Sequence, residues 1–208
     1  MAILPKTILC KEQLQTLSSI IQVGEACYRD MIAEHAISGH RYDEYLISRA
    51  RTLFVQLQCE LCSREPTFPF NVVQQSIHSK LKVTEFHTDN LILHFARSSS
   101  PNKLPNETKY RKLLSKNNSS LIIQREANYY KSHLESSLPL FGILTFGGKE
   151  TLFMVILFPY PGYREIAERI EIPIVSFDEL SSSGVEFERK KALLKEEFVK
   201  RYINQEVI

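Results

Sequence analysis

The 208-residue sequence contains no tryptophan and only seven glycines, and no apolar run in it is as long as a membrane span. Neither a GxxxxGKS/T loop nor a GxGxxG motif occurs, which excludes the common glycine-rich nucleotide cradles. The first residues, MAILPKTILCKEQ, are interrupted by Pro5 and Lys6 and do not resemble a signal peptide. We therefore expect a soluble, cytoplasmic protein that makes no membrane contact and needs no cofactor.

Cysteine is also scarce, with four residues in the chain. Cys59 and Cys62 form a CxxC pair inside a predicted helix, but the second pair that a zinc site usually needs is missing. Cys27, on the facing predicted helix, could add a third thiolate. The interpretation we favour is that these cysteines are reduced, buried, small apolar residues, and we predict no metal site.

The usual catalytic motifs are absent as well. The sequence has no GxSxG elbow and no HExxH. His87 and His94 lie on two neighbouring predicted strands on either side of Asp89-Asn90, where they could approach each other. A pair of histidines facing solvent is the interpretation that we favour.

What is present is an ordinary globular composition with 43% hydrophobic and 24% charged residues. Apolar residues at helical spacing predict two long helices, at 11–37 and 43–64, and a last helix at 185–204. Two strand pairs are predicted at 82–97 and 141–158, with Gly147-Gly148 as a hairpin turn rather than a phosphate loop. Short helices are predicted at 71–80, 107–115 and 163–170.

These elements predict an α+β fold, in which an N-terminal long helical hairpin packs with a mainly antiparallel β-sheet and a C-terminal helix. The C-terminal helix is expected to cover one face of the sheet. The predicted domains are 1–66, the helical hairpin, and 67–208, an α+β domain. Residues 98–119 are rich in Ser, Asn, Pro and Lys and predict an exposed basic loop, either a mobile segment or an insertion within one domain.

Charge is distributed unevenly along the chain. Residues 67–135 contain 10 Lys and Arg against 5 Asp and Glu, although the whole chain has a net charge of only +2. A cluster of this kind favours phosphate backbones, and an aromatic residue within it can stack on a base; the alternative is a solvated loop. The candidate nucleic-acid-binding residues are Lys103, Lys109, Tyr110, Arg111, Lys112 and Lys116.

One short motif resembles a known catalytic signature. Arg29-Asp30-x4-His35 is similar to the Arg-polar-xn-His signature of HEPN-type ribonucleases over these seven residues. The resemblance implies that His35 acts as an acid or base and that Arg29 holds the phosphate. That family is an all-helical bundle with the motif on a late helix, whereas here the motif lies on the first helix of a chain that continues into strands.

Taken together, the basic centre and the lack of a catalytic constellation predict a non-enzymatic binding or regulatory protein. It would act through protein–protein contacts and through DNA or RNA bound at the central segment. The two N-terminal helices are expected to bind a protein partner or to self-associate, because a lone hairpin cannot cover both apolar stripes. The alternative is a nuclease or other hydrolase that uses Arg29 and His35.

Overall fold

The computed structural model describes residues 7–35, 43–78, 81–121, 138–148, 152–174 and 184–203, and it is an α+β protein. Its described helices are α1 (Lys11–His35), α2 (Asp43–Cys62), α3 (Lys109–Leu114) and α4 (Gly184–Phe198). Its strands are β1 (Asn71–His78), β2 (Leu81–Thr88), β3 (Leu91–Arg97), β4 (Leu140–Gly147), β5 (Phe153–Pro159) and β6 (Ile166–Glu171).

The chain divides into two compact units. The sheet unit comprises Met1–Leu14 and Pro69–Ile172, and the helical unit comprises Gln15–Phe68 and Pro173–Ile208. The C-terminal helix therefore belongs to the same unit as most of the N-terminal hairpin, whereas the sequence predicts it in one domain with the strands, 67–208.

The sheet has six strands in sequence order, β1 to β6. Every neighbouring pair is antiparallel except β3 and β4, which run parallel in the register Leu91↔Leu140 to Arg97↔Phe146. Both predicted strand pairs, β2–β3 and β4–β5, are confirmed. The single parallel pairing requires a long crossover connection after β3, and the basic part of the sequence lies in that connection.

Two short helices predicted from the sequence are wrong. Residues 71–78 form the edge strand β1, which pairs with β2, and residues 166–171 form the edge strand β6, which pairs with β5. In both segments, hydrogen bonds to the neighbouring strand stabilise the β conformation more than the weak local propensity stabilises a helix. The predicted helix at 107–115 and the last helix are confirmed as α3 and α4.

One face of the sheet has a core built with the crossover. Every residue of β4 is buried, which is typical of a central strand covered on both faces. The backbone turns into β6 at Gly162 and Tyr163, both at positive φ, and the ring of Tyr163 is buried. The buried residues of this core are Ala96, Phe141, Ile143 and Tyr163, with Ile92, Leu104 and Leu114 packed against them.

The helical unit has its own core. Its buried members come from α1, α2 and α4: Val23, Cys27, Phe54, Leu57, Phe187 and Leu194. The buried face of α4 thus packs on α1 and α2, whereas we had expected it to cover the sheet. A side chain at Gly24 would meet Val55 at 2.9 Å, so the close approach of α1 to α2 requires glycine there.

The cysteines of the helical unit are buried free thiols, as predicted. Burial raises the pKa of Cys27 to about 12 and that of Cys62 to about 11, so both stay protonated at neutral pH. No described helix is long and apolar enough to span a bilayer.

Candidate functional site

A buried carboxylate organises the most polar cluster of the sheet unit. Glu85, in the middle of β2, is only 2% exposed although glutamate normally lies at the surface. The β2–β3 register places it directly opposite His94, and alternation along the strand puts His87 on the same face. Strand geometry alone therefore brings two imidazoles beside one carboxylate.

Three donors share this carboxylate. Glu85 Oε1 accepts hydrogen bonds from His94 Nε2 and from the Tyr110 hydroxyl, each at 2.7 Å, and Oε2 accepts from His87 Nε2 at 2.7 Å. The His94 ring stacks on Tyr110 with centroids 5.6 Å apart and meets the edge of Phe141 at 4.8 Å. The cluster connects β2 and β3 to α3 through a single acidic group.

The prediction that His87 and His94 form a solvent-facing pair is wrong. His94 is 1% exposed, and the two rings converge on Glu85 rather than on water. A signal was present in the sequence, because a hairpin turning at Asp89-Asn90 pairs position 85 with position 94. Glu85 was nevertheless missed, and Tyr110 could not have been assigned because it lies 25 residues away in the chain.

The surroundings of Glu85 shift the pKa values of the cluster. Burial raises the pKa of Glu85, but hydrogen bonds from His94, Tyr110 and His87 outweigh burial and lower it to about 2. Burial lowers the pKa of His94 despite the opposing hydrogen bond to Glu85, with Arg111 and His87 adding to the lowering. Burial, and then the bond to Glu85, raises the pKa of Tyr110. At neutral pH the centre is thus a carboxylate bound by a neutral imidazole and a neutral phenol.

Residues 98–121, which we call the cationic segment, are attached to the sheet by buried polar side chains as well as by Tyr110. Asn118 donates to the carbonyls of Phe141 (2.9 Å) and Pro159 (2.7 Å) and accepts from the Phe141 N–H (2.8 Å). Ser115 donates to the Lys112 carbonyl and accepts from the Gly162 N–H. Asn118 thus satisfies backbone groups at the ends of β4 and β5, and Ser115 satisfies one in the turn before β6. These bonds fix the position of the segment's backbone.

The candidate cations lie on the outer side of this segment. Lys103, Lys109, Lys112 and Lys116 are all exposed. Lys109, Lys112 and Lys116 follow one another at helical spacing, with Leu113, 56% exposed, among them. Among the described residues, Lys112 is the one lysine of the four in an ion pair, with Glu107 at 3.1 Å.

Two other candidate residues of the segment face inward. Arg111 is half-buried and donates to the Asn106 carbonyl at 3.0 Å. Tyr110 is engaged with Glu85 and His94. The structure therefore separates the predicted set into outward lysines and inward residues that hold them.

The helical motif is not assembled in the part of the chain that the structure describes. Arg29 is exposed on α1, and the side chain of His35 lies outside the described residues. Asp30 binds Lys191 at 2.9 Å and Lys195 at 3.4 Å, and these ion pairs join α1 to α4. Asp30, the acidic residue of the motif, thus forms ion pairs that hold two helices together.

No group of His, Cys, Asp or Glu within the described ranges is arranged to hold a metal ion. In the Glu85 cluster the Nε2 atoms of His87 and His94 bind the carboxylate oxygens themselves. No family model, curated protein or solved structure matches this chain. The geometry and chemistry of its own residues are therefore the basis for any functional proposal.

The lowered pKa values predict a loss of stability in acid. Because the folded pKa of Glu85 lies near 2, below its ordinary 4.5, its contribution is present above pH 4.5 and is lost as the pH falls towards 2. The lowered pKa of His94 acts in the same direction, because its contribution to stability begins to be lost as the pH falls through 6.5, its ordinary pKa. Urea unfolding between about pH 6 and about pH 3 should show wild type losing about 2 kcal/mol more than Glu85→Gln. Parallel curves for the two proteins would contradict this assignment, and Glu107→Gln should follow wild type.

Proposed function

We propose that this is a binding or regulatory protein of the cytoplasm that binds single-stranded nucleic acid through the cationic segment. The observation that supports the proposal is the outward row of Lys103, Lys109, Lys112 and Lys116 on a backbone held by Asn118 and the Glu85 cluster. Because the backbone that carries these lysines is already held in place, binding a chain of phosphates orders only their side chains.

The charge balance of the segment favours a polyanion. Glu107 is the one acidic residue in 98–121, and it neutralises only Lys112. Displacing the counterions that phosphates condense supplies the binding free energy, and this term does not depend on base sequence. Because Tyr110 donates to Glu85, we do not expect it to stack on a base, and Leu113 is the apolar group available beside the lysines. The proposed recognition is therefore of the backbone and weakly selective for sequence.

Salt dependence tests this proposal. Fluorescence anisotropy with a labelled single-stranded RNA of about 20 nucleotides and the matching DNA should give a slope of log K against log salt of about −3, for roughly four phosphate contacts. Affinity should fall about 50-fold between about 50 and about 200 mM salt. Absence of binding at the lower salt would refute the proposal. Binding to vesicles of anionic phospholipid, with none to RNA or DNA, would assign the lysines to a lipid surface instead.

Protein contacts through the N-terminal helices are a second candidate with less support. The apolar side chains of α1 and α2 that we expected to need another subunit include Val23 and Phe54, which are buried together with Phe187 and Leu194 of α4. The third helix of the same chain thus satisfies part of the need for a partner. We rank self-association below nucleic-acid binding for this reason.

A further inference from the structure

His87 is the half-exposed histidine of the Glu85 cluster. Its side chain is 28% exposed, against 2% for those of Glu85 and His94. Its Nε2 is bound to Glu85 Oε2 at 2.7 Å, and Nδ1 has no hydrogen bond within the described part of the chain. An imidazole whose Nε2–H is held by a carboxylate has its lone pair on Nδ1, which is the tautomer that a general base acting through Nδ1 requires.

The buried carboxylate also holds the ring of His87 in one position. His94 and Tyr110 donate to Oε1, which leaves Oε2 to bind His87. The carboxylate thus fixes the orientation and the tautomer of the half-exposed ring, as the carboxylate does in a hydrolase triad.

The same carboxylate connects His87 to the cationic segment. Tyr110, bound to the other oxygen of Glu85, lies in α3 between Lys109 and Arg111. The chain of contacts from His87 Nε2 through Glu85 to the Tyr110 hydroxyl contains two hydrogen-bonding steps, each of 2.7 Å. Tyr110, which joins the cluster to the segment, is thus the chain neighbour of Lys109, one of the lysines proposed to bind phosphate.

We propose that His87, oriented by Glu85, is the general base of an RNA-cleaving site whose substrate is single-stranded RNA held by the cationic segment; this rests on the proposed function. RNA suits a lone imidazole because its 2′-hydroxyl is an internal nucleophile. His87 Nδ1 takes the 2′-hydroxyl proton, the 2′ oxygen forms a bond to phosphorus, and the bond from phosphorus to the 5′ oxygen breaks. The leaving 5′ oxygen takes a proton from water and His87 releases its proton to solvent. The products are a 2′,3′-cyclic phosphate and a 5′-hydroxyl.

The test incubates the purified full chain with a labelled single-stranded RNA, the same sequence as DNA, and the RNA with every 2′-hydroxyl methylated. We expect cleavage of the RNA alone, with a cyclic phosphate on the 5′ fragment. His87→Ala should lower the cleavage rate at least about 100-fold while RNA affinity changes less than about 2-fold. Because His87 is half-exposed, the variant should fold, and circular dichroism checks this. Wild type and variant purified in parallel control for contaminating nucleases.

Each remaining outcome contradicts a different part of the argument. RNA binding without cleavage by wild type overturns the catalytic inference and leaves the proposed function standing, whereas absence of RNA binding removes both. Cleavage that persists in His87→Ala overturns the role of His87. If His35→Ala abolishes cleavage and His87→Ala does not, the reaction belongs to the helical motif on α1. Cleavage of the methylated RNA would exclude the internal nucleophile.

Discussion

Replacing Glu85 with alanine should lower the free energy of unfolding of the sheet unit by about 4 kcal/mol. The carboxylate accepts hydrogen bonds from His94, Tyr110 and His87, and its removal leaves all three donors without a partner. Two of these donors are wholly or largely buried, and an unsatisfied buried donor costs about 1–3 kcal/mol. Denaturant unfolding followed by circular dichroism measures the change.

Two variants keep this prediction interpretable. Glu85→Gln retains one acceptor oxygen and should lose about 2 kcal/mol, so it reports on the cluster even where the alanine variant does not fold. Glu107→Gln removes an exposed carboxylate and should change stability by less than about 0.5 kcal/mol. If Glu85→Ala is as stable as Glu107→Gln, the cluster does not hold the segment to the sheet.

Replacing Lys103, Lys109 and Lys116 together with glutamine should reduce RNA affinity about 100-fold near 100 mM salt. These three lysines are exposed and, among the described residues, form no ion pair, so each can release about 0.7 of a counterion from a bound strand. The slope of log K against log salt should become about 2 smaller in magnitude. Anisotropy titrations over a range of salt concentrations measure both quantities.

A matched variant separates local from overall charge. Lys11, Arg189 and Lys200 are exposed cations outside the cationic segment, and replacing all three with glutamine lowers the net charge by the same amount. We expect this variant to bind RNA within about 3-fold of wild type, because screening limits the reach of distant charges. Equal losses in the two triple variants would mean that the overall charge attracts RNA and that no defined surface exists.

The sequence was informative where a pattern is local. Helical spacing located α1, α2 and α4, and turn residues located the β2–β3 and β4–β5 hairpins. The edge strands β1 and β6 were mistaken for short helices because their stability comes from pairing with β2 and β5, which local propensity does not encode. The lysines of the cationic segment were identified correctly as exposed, since charge itself keeps a side chain in water.

The assembly of the Glu85 cluster required the tertiary structure. Residue types and alternation determined that Glu85, His87 and His94 share one face of a hairpin, although the sequence did not reveal that this face is buried. Only the crossover between β3 and β4 brings Tyr110 to Glu85 and places Asn118 at the ends of β4 and β5. Local sequence thus determined the elements and the outward charge. Contacts between residues distant in the chain decided which polar groups lose their water, because burial depends on what the rest of the chain places above them.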